Sequence, residues 1–327
     1  MNKYLVFLEQ REGVVKKASI EIWNRVQELA ARHPDSAVSG ILAGSLDIRQ
    51  LDGVLGGKGV IYHANEERFL LYNSRHYARL VADTLKRDGA TSLFFADTAL
   101  SRDLAPRLSV NLEASLLSGC EVFDDAGVDV GCVRPVYSGS AIASFAPERS
   151  LRIYTISSRS TRSIISFGSH IEFIALEPSG FTSENLFPFV RRIAMRKDRQ
   201  DVAEAAIIVA GGRGVGDAAG FEQLEELALL LGGTVGASRP VVDEGWRPHA
   251  EQIGQTGKTV APAIYFAGGI SGSVQHLAGI GSASILVAIN NDPHAPIFDV
   301  ADYALVGDLH IVLPKLLDAV KEFLKKR

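Results

Sequence analysis

Cysteine is scarce in this chain, which has two cysteines in 327 residues. Cys120 and Cys132 are too few for a disulfide framework, and neither belongs to a Cys-x-x-Cys motif or a Cys/His cluster. The sequence therefore predicts no metal site. It also favours a reducing compartment, where disulfides are rare.

Long apolar runs and a strong charge of one sign are also missing. The most apolar stretch, 264–289, is interrupted by glycines and by Gln275 and His276, so no membrane-inserted segment is expected. The N-terminal run 4–8 reaches Glu9 at once and is too short for a secretory signal. With 34 basic and 38 acidic residues, the net charge of -4 argues against broad nucleic-acid binding.

What the chain does have is the composition of a globular protein, with 46% hydrophobic and 22% charged residues. Its length points to about two domains. The first half alternates short apolar runs at 4–8, 39–44, 60–62 and 92–96 with amphipathic helical patterns at 18–31 and 74–87. Such alternation predicts an α/β fold with a mostly parallel sheet flanked by helices.

The sequence pattern changes after Cys132. Four β-branched runs, at 133–137, 141–145, 151–156 and 170–176, predict antiparallel strands that complete the first domain. The basic run 191–199 then marks the sharpest charge shift, and a solvated segment between domains is favoured over a basic patch for a partner. We therefore expect domains at 1–195 and 196–327.

A second α/β unit follows, with a Rossmann-like alternation of elements. Strands are predicted at 205–210, 234–237, 263–267 and 285–289, and helices at 221–231 and 314–325. Ligands of open α/β sheets bind outside the carboxyl ends of the strands, so the loops there are the candidate site.

The first of these loops is a glycine run, 211–216, between a strand and a helix. Glycines allow close approach to a ligand, and Arg213 within the run is placed for a phosphate. A tight turn between strand and helix explains the same pattern. The run lacks the third glycine of the dinucleotide fingerprint, which argues against an NAD-dependent enzyme on a Rossmann-like sheet.

Two further loops, 236–240 and 253–258, are rich in hydrogen-bond donors and follow predicted strand ends. Each could also be an ordinary surface loop. Gly257, Lys258 and Thr259 match the end of a Walker A motif, but Gln252 replaces its leading glycine, and this interpretation is rejected.

The most informative cluster is 268–279, which runs from a strand through glycines into a helix. Ser271 and Gly272 would present backbone N–H groups, and Gln275 and His276 would lie in the first helical turn. Asn290 ends the next predicted strand, and Asp308 follows Val306 and Gly307; side chains of these types could accept hydrogen bonds from ribose or ribityl hydroxyls.

These motifs together resemble the C-terminal domain of electron transfer flavoprotein α subunits. The resemblance rests on the runs 235–239, 252–262, 269–279, 287–298 and 300–309, and more loosely on 98–107 and 134–141. It implies a nucleotide-hydrolase-like sheet in 1–195 that pairs with a β subunit, and FAD held mainly by 196–327.

Carried over position by position, the resemblance implies a set of FAD-contacting residues. They are Arg213, Ser238, Arg239, Ile253, Gly254, Gln255, Thr256, Ser271, Gly272, Ser273, Val274, Gln275, His276, Asn290, Asp308 and Leu309. Arg239, Thr256 and His276 are implied to lie near the isoalloxazine ring and to tune it. Arg239 would supply positive charge, Thr256 a hydroxyl donor, and His276 a positive or hydrogen-bond-donating group.

The same resemblance implies an electron carrier rather than an enzyme that converts a substrate. Its donors would be flavin dehydrogenases of the acyl-CoA dehydrogenase type, in fatty acid β-oxidation, and its acceptor a membrane quinone-reducing flavoprotein. The β subunit would hold AMP, or a second FAD if the complex is of the electron-bifurcating, NADH-oxidising kind. A non-redox adaptor that has lost the flavin is a further alternative. The expected location is a bacterial or archaeal cytoplasm.

Overall fold

The computed structural model describes residues 2–33, 35–51, 54–124, 131–137, 141–157, 169–177, 200–280 and 283–325. The chain forms two compact units, one of Met1–Val136 and Ala141–Ala194, the other of Tyr137–Ser140 and Met195–Arg327. The predicted boundary after residue 195 and the basic run 191–199 lie outside the described residues. Both stay predictions.

The first unit is built on a seven-stranded parallel sheet. The strands of the whole unit, seven of which form this sheet, are β1 Lys3–Leu8, β2 Gln10–Arg11, β3 Val14–Val15, β4 Ala37–Ala43, β5 Gly57–Ala64, β6 Ser92–Ala96, β7 Ser115–Cys120, β8 Val122–Asp124, β9 Gly131–Val136, β10 Ala141–Phe145, β11 Arg152–Ile156 and β12 Ser169–Ala175. Its helices are α1 Lys17–Arg32, α2 Ser74–Asp88 and α3 Ala99–Asn111. The large sheet has the order β12-β5-β4-β1-β6-β11-β7, and β2 pairs with β3 in a small hairpin.

Central strand β1 shows why this unit has three layers. Successive side chains of a strand point to opposite faces, and every residue of β1 after Lys3 is buried. Tyr4, Val6 and Leu8 pack in the cluster that contains α1, whereas Leu5 and Phe7 pack in the cluster that contains α2 and α3. An uninterrupted apolar run is typical of a parallel strand covered by helices on both faces.

The strands after Cys132 only partly follow the antiparallel prediction. β8, β9 and β10 do form an antiparallel sheet. The expectation is wrong for β11 and β12, which pair parallel, β11 between β6 and β7 and β12 beside β5. The direction of the two strands is set by the route of the chain between elements, and β11 is held beside β6 by the stacking of Tyr154 on Phe94, with ring centroids 4.8 Å apart. A short apolar run does not reveal which neighbour will cover it.

Cys120 at the end of β7 and Cys132 in β9 are joined by a disulfide, with Cα atoms 5.3 Å apart. A reducing compartment would keep the two as thiols, so the structure differs here from the expectation drawn from cysteine scarcity. Both residues are buried, and the bridge ties the antiparallel sheet to the edge of the parallel sheet.

The second unit is a five-stranded parallel sheet with helices on both faces. Its strands are β13 Ile207–Gly211, β14 Thr234–Ala237, β15 Ile264–Gly268, β16 Leu286–Asn290 and β17 Tyr303–Val306, in the order β14-β13-β15-β16-β17. Its helices are α4 Phe221–Leu231, α5 Arg239–Asp243, α6 Val274–Ile280 and α7 Leu309–Lys325. The predicted α/β class with mostly parallel sheets is confirmed.

Helix α7 begins at Leu309, five residues before the predicted start at Pro314. Asp308 caps the helix, because its Oδ1 accepts a hydrogen bond of 2.9 Å from the backbone N–H of His310. Leu309, Leu313 and Leu317 continue one buried face through the proline. Packing of that face overrides the helix-starting preference of proline.

Across the described ranges, every helix falls short of the length and apolar character needed to span a bilayer.

Candidate functional site

The five parallel strands of the second unit all end at one edge, called here the carboxyl edge. Arg213 follows β13, Ser238 follows β14, Ser271 follows β15, Asn290 ends β16, and Asp308 follows β17. From β13 the chain passes to β14 on one side of β13 and then returns to β15 on the other side. The strand order therefore reverses between β13 and β15. A crevice at such a reversal is where open α/β sheets bind ligands.

The glycine run after β13 is used for close packing of two loops. Gly212 donates its backbone N–H to the Gly268 carbonyl at 2.9 Å, and Gly214 donates to the Gly269 carbonyl at 3.0 Å. A Cβ on Gly212 would overlap the Gly269 carbonyl oxygen, and a Cβ on Gly214 would lie 2.8 Å from the Gly269 Cα. The structure therefore explains these glycines by loop contact, without a phosphate.

Two exposed arginines flank the short helix α5. Arg239 Nε lies 3.3 Å from an Asp243 carboxylate oxygen, and Arg213 Nε lies 3.6 Å from one of Glu244. Ser238 precedes α5 and is buried, and its hydroxyl makes no capping hydrogen bond to the helix. The carboxyl edge thus carries two cations, each oriented by a neighbouring carboxylate.

The loop 253–258 is attached to this edge by its backbone. Ile253 donates to the Ala237 carbonyl at 2.9 Å, and Gln255 donates to the Gln275 carbonyl at 2.8 Å. Gly254 has φ +139° and lies so close to α6 that a Cβ on Gly279 would overlap its Cα. Residues far apart in sequence are therefore brought to one place.

Lys258 does not act as the lysine of a nucleotide-binding loop. Its Nζ lies 2.8 and 2.9 Å from the two carboxylate oxygens of Asp201 and fixes the far end of the loop. This agrees with the rejection of the Walker A interpretation.

Thr256 is exposed, with its hydroxyl oxygen already oriented. The buried amide of Gln252 donates to Thr256 Oγ1 at 3.0 Å. In the part of the chain that the structure describes, the hydroxyl proton has no acceptor. Thr256 can therefore donate a hydrogen bond to a ligand.

The loop after β15 presents backbone donors before α6. Among the described residues, the N–H groups of Ser271, Gly272 and Ser273 donate to no other group. Ser271 also anchors the loop, because its carbonyl accepts from the Ile297 N–H at 3.0 Å. Val274 and Gln275, in the first turn of α6, are exposed.

His276 is the most buried polar side chain of the predicted set, at 5% exposure. Its Nε2 lies 3.0 Å from the hydroxyl oxygen of Tyr265, whose side chain is fully buried. Burial lowers the pKa of His276 to about 4, and the backbone of Ile253 opposes this less strongly. The imidazole is therefore neutral at pH 7, which makes it a hydrogen-bond donor rather than a cation.

Several predicted contacts are occupied by structural roles. Asn290 donates its amide to the Ile270 carbonyl at 2.9 Å and accepts from the Asp292 N–H at 2.9 Å. Asp308 caps α7, and the side chain of Leu309 is buried in the core. Ile253 is also buried by its side chain. These residues can reach a ligand only through backbone groups, remaining lone pairs or the second amide hydrogen of Asn290.

The sequence patterns miss two groups that shape the site. Tyr265 lies in the middle of an apolar strand, where an aromatic residue predicts only core packing. Gln252 stands among loop residues, and its burial at 3% exposure is not evident from its polarity. No local signal distinguishes either residue from its neighbours.

The carboxyl edge fits a flavin dinucleotide in its chemistry. Anionic phosphates match the cations of Arg213 and Arg239 and the N–H groups of 271–273, which donate to no other group in the described ranges. A ring with carbonyl oxygens and nitrogens matches the donors Thr256 and His276. The buried Nδ1 of His276 has no hydrogen-bond partner in the described part of the chain, as expected of a group whose acceptor is a ligand.

Comparisons with known proteins agree along the chain. The electron transfer flavoprotein domain matches residues 4–163, and the electron transfer flavoprotein FAD-binding domain matches residues 201–281. Protein FixB of Clostridium saccharobutylicum is 36% identical over 98% of this chain and 96% of its own length.

Other relatives carry a subunit name, as two examples show. The electron transfer flavoprotein subunit alpha of Clostridium acetobutylicum is 34% identical over 97% of this chain and 96% of its own length. That of Bacillus subtilis is 34% identical over 98% of both chains. The chain therefore belongs to the electron transfer flavoprotein family, among its α subunits.

Proposed function

We propose that this chain holds FAD at the carboxyl edge of its second unit and works in a heterodimer with a β subunit. The complex carries electrons from flavin dehydrogenases of the acyl-CoA dehydrogenase type to a quinone-reducing flavoprotein. The β subunit holds AMP in this proposal. The chain is an electron carrier, not an enzyme that converts a substrate.

The observation that carries the proposal is the set of unused donors at the carboxyl edge, in a chain that matches the FAD-binding domain of this family. In the part of the chain that the structure describes, a buried imidazole nitrogen has no hydrogen-bond partner, and a threonine hydroxyl and three consecutive backbone N–H groups have no acceptor. Buried donors in particular cost stability when they stay unpaired, which favours a ligand that accepts from them.

FAD, when bound, supplies the redox chemistry, and the protein binds it, orients it and sets its potential. The N–H groups of Ser271, Gly272 and Ser273 hold the pyrophosphate, assisted by the positive charge of Arg213. Asp308 and Asn290 accept hydrogen bonds from ribose or ribityl hydroxyls through their remaining lone pairs.

Three side chains act beside the ring in this proposal. Arg239 provides positive charge, which favours addition of an electron. Thr256 donates its free hydroxyl proton to the N5 or O4 position. His276 donates from Nδ1 on the side where negative charge grows, around N1 and O2.

The test is co-expression with the β subunit, followed by purification and flavin absorbance. We expect a yellow complex with one FAD for each copy of this chain. A complex that is colourless, and stays so after incubation with excess FAD, would contradict the proposal. The adaptor alternative predicts that colourless outcome.

A further inference from the structure

Tyr265 and His276 form a buried pair at the carboxyl edge. The tyrosine is 0% exposed and the histidine 5%, and the hydroxyl oxygen lies 3.0 Å from Nε2. In the described ranges, His276 is the only hydrogen-bond partner of the Tyr265 hydroxyl. The pair is buried away from water, so each proton of the pair that stays unpaired costs free energy.

This isolation decides which group donates. Burial raises the pKa of Tyr265, so the phenol keeps its proton. If Nε2 carried a hydrogen and donated to the phenol oxygen, the phenol proton would have no acceptor in the core. The arrangement that leaves fewer polar groups unpaired has Tyr265 donating to a bare Nε2, which places the proton of the neutral imidazole on Nδ1.

Nδ1 is the buried atom that has no hydrogen-bond partner in the described part of the chain. A hydrogen bond to the backbone of Ile253 favours the protonated ring, but its geometry at Nδ1 falls short of a well-formed bond. The Nδ1–H group is therefore only weakly bonded within the chain and can be taken up by a better acceptor. It belongs to a side chain next to the exposed loop 271–275.

We propose that Tyr265 is a positioning residue that fixes His276 as its Nδ1–H tautomer and so presents an uncharged donor to the isoalloxazine. The inference rests on the proposed function for the presence of a flavin. The tautomer itself is a property of this chain and can be measured without FAD.

The first measurement is nitrogen NMR of the full chain with labelled histidine, at pH 7, with His276 assigned from a His276→Gln variant. We expect Nδ1 to give the signal of a protonated ring nitrogen and Nε2 that of a bare one. In Tyr265→Phe this preference weakens toward a mixture of the two tautomers. A signal for protonated Nε2 in the unaltered chain would overturn the proposal.

The second measurement is the FAD affinity and flavin potential of the complex with the β subunit. Tyr265→Phe should weaken FAD binding about two- to tenfold and shift the potential to more negative values. The same substitution in a His276→Gln background should add nothing, because the tyrosine acts only through the imidazole. Additive effects of the two substitutions would overturn the positioning role.

Tyr4→Phe is the matched control. Tyr4 is also buried, at 1% exposure in the first unit, and its hydroxyl has no hydrogen-bond partner among the described residues. We expect unchanged FAD affinity and an unchanged His276 tautomer. If Tyr4→Phe weakened FAD binding as much as Tyr265→Phe, the effect would be general destabilisation, and the proposal would be wrong.

The two proposals fail separately. A chain with the Nδ1–H tautomer that binds no flavin leaves the positioning of His276 intact and contradicts the proposed function. A yellow complex whose His276 carries its proton on Nε2 supports the proposed function and contradicts the positioning role of Tyr265.

Discussion

Arg239 is the cation whose charge the proposed function needs beside the flavin. We predict that Arg239→Ala lowers the reduction potential of the bound flavin by tens of millivolts, because a positive charge favours the added electron. The side chain is 62% exposed, so water screens much of its field. Anaerobic titration followed by absorbance measures the shift.

Two variants control the Arg239 experiment. Arg239→Lys keeps the charge and should keep most of the potential. Asp243→Asn removes the carboxylate 3.3 Å from the guanidinium and should raise the potential. An unchanged potential in Arg239→Ala, with FAD still bound, would remove Arg239 from the flavin's surroundings.

His276 gives the protein a specific pH dependence of stability. Its pKa falls from 6.5 in the unfolded chain to about 4 in the folded one, so the unfolded state binds more protons between these values. The free energy of unfolding therefore decreases as the pH is lowered from 6.5 toward 4. The contribution from His276 amounts to about 2 kcal/mol between pH 7 and pH 5.

Urea unfolding of the unaltered chain and of His276→Gln, at pH 7 and pH 5, measures this contribution. Other titrating groups act equally in both proteins, so the difference between their pH effects isolates His276. Equal losses of stability on acidification would show that His276 titrates normally in the folded state.

At the scale of single residues, the sequence predicts which residue types lie at the site, and the structure shows which of their atoms are already hydrogen-bonded or buried. The glycine and serine loops are predictable because backbone N–H donors at strand ends suit an anion. The engagement of the Asn290 amide and the burial of Leu309 depend on tertiary contacts. Tyr265 is unpredictable because its partner lies 11 residues away, in a turn of α6 that no local pattern directs toward it.

At the scale of secondary-structure elements, the contact between the loops after β13 and β15 leaves no room for a side chain at Gly212. We predict that Gly212→Ala destabilises the second unit by about 1–3 kcal/mol and weakens FAD binding. Gly212 has φ -105°, which any residue adopts, so the penalty comes from overlap with the Gly269 carbonyl oxygen. Thermal unfolding and FAD titration measure both effects.

Gly232→Ala separates this overlap from backbone strain. Gly232 has φ +68° at the end of α4 and open space where a Cβ would lie. Its substitution should cost about 1–2 kcal/mol from the left-handed conformation and leave FAD affinity unchanged. Unaltered stability in Gly212→Ala would mean that the two loops do not pack so closely.

The disulfide is an element-level feature with a direct chemical test. A bridge across 12 residues contributes about 3 kcal/mol through loop closure. We predict that alkylation during lysis labels neither Cys120 nor Cys132, and that dithiothreitol lowers the melting temperature. The Cys120→Ala/Cys132→Ala double variant should melt lower and be insensitive to dithiothreitol. Two labelled thiols before reduction would contradict the bridge.

A helix or strand of this chain is predictable from the sequence when its apolar residues form a regular pattern or a continuous run. Continuous apolar runs predict β1, β6 and β15, because strands covered on both faces need apolar residues throughout. β17 is missed because its four apolar residues are too short a run to distinguish a strand from a helix, and in the structure all four are exposed. The parallel pairing of β11 and β12 escapes prediction because strand direction depends on the route of the chain between elements.

At the scale of the whole molecule, the proposed function separates two kinds of complex. In the proposed carrier, one FAD lies in this chain and the β subunit holds AMP. In the bifurcating alternative, a second FAD and an NADH site belong largely to the β subunit. In the proposal, both kinds would hold FAD at the same carboxyl edge, so the residues there do not distinguish them.

Flavin stoichiometry and NADH reduction of the complex separate the two. We predict one FAD for each heterodimer and no reduction of that flavin by NADH under anaerobic conditions, whereas a reduced acyl-CoA dehydrogenase should reduce it. Arg239→Ala is the internal control, because it should hinder reduction by the dehydrogenase without creating any response to NADH. Two flavins with rapid bleaching by NADH would replace the carrier proposal by the bifurcating one, while the FAD site at β13–β17 would stand in either case.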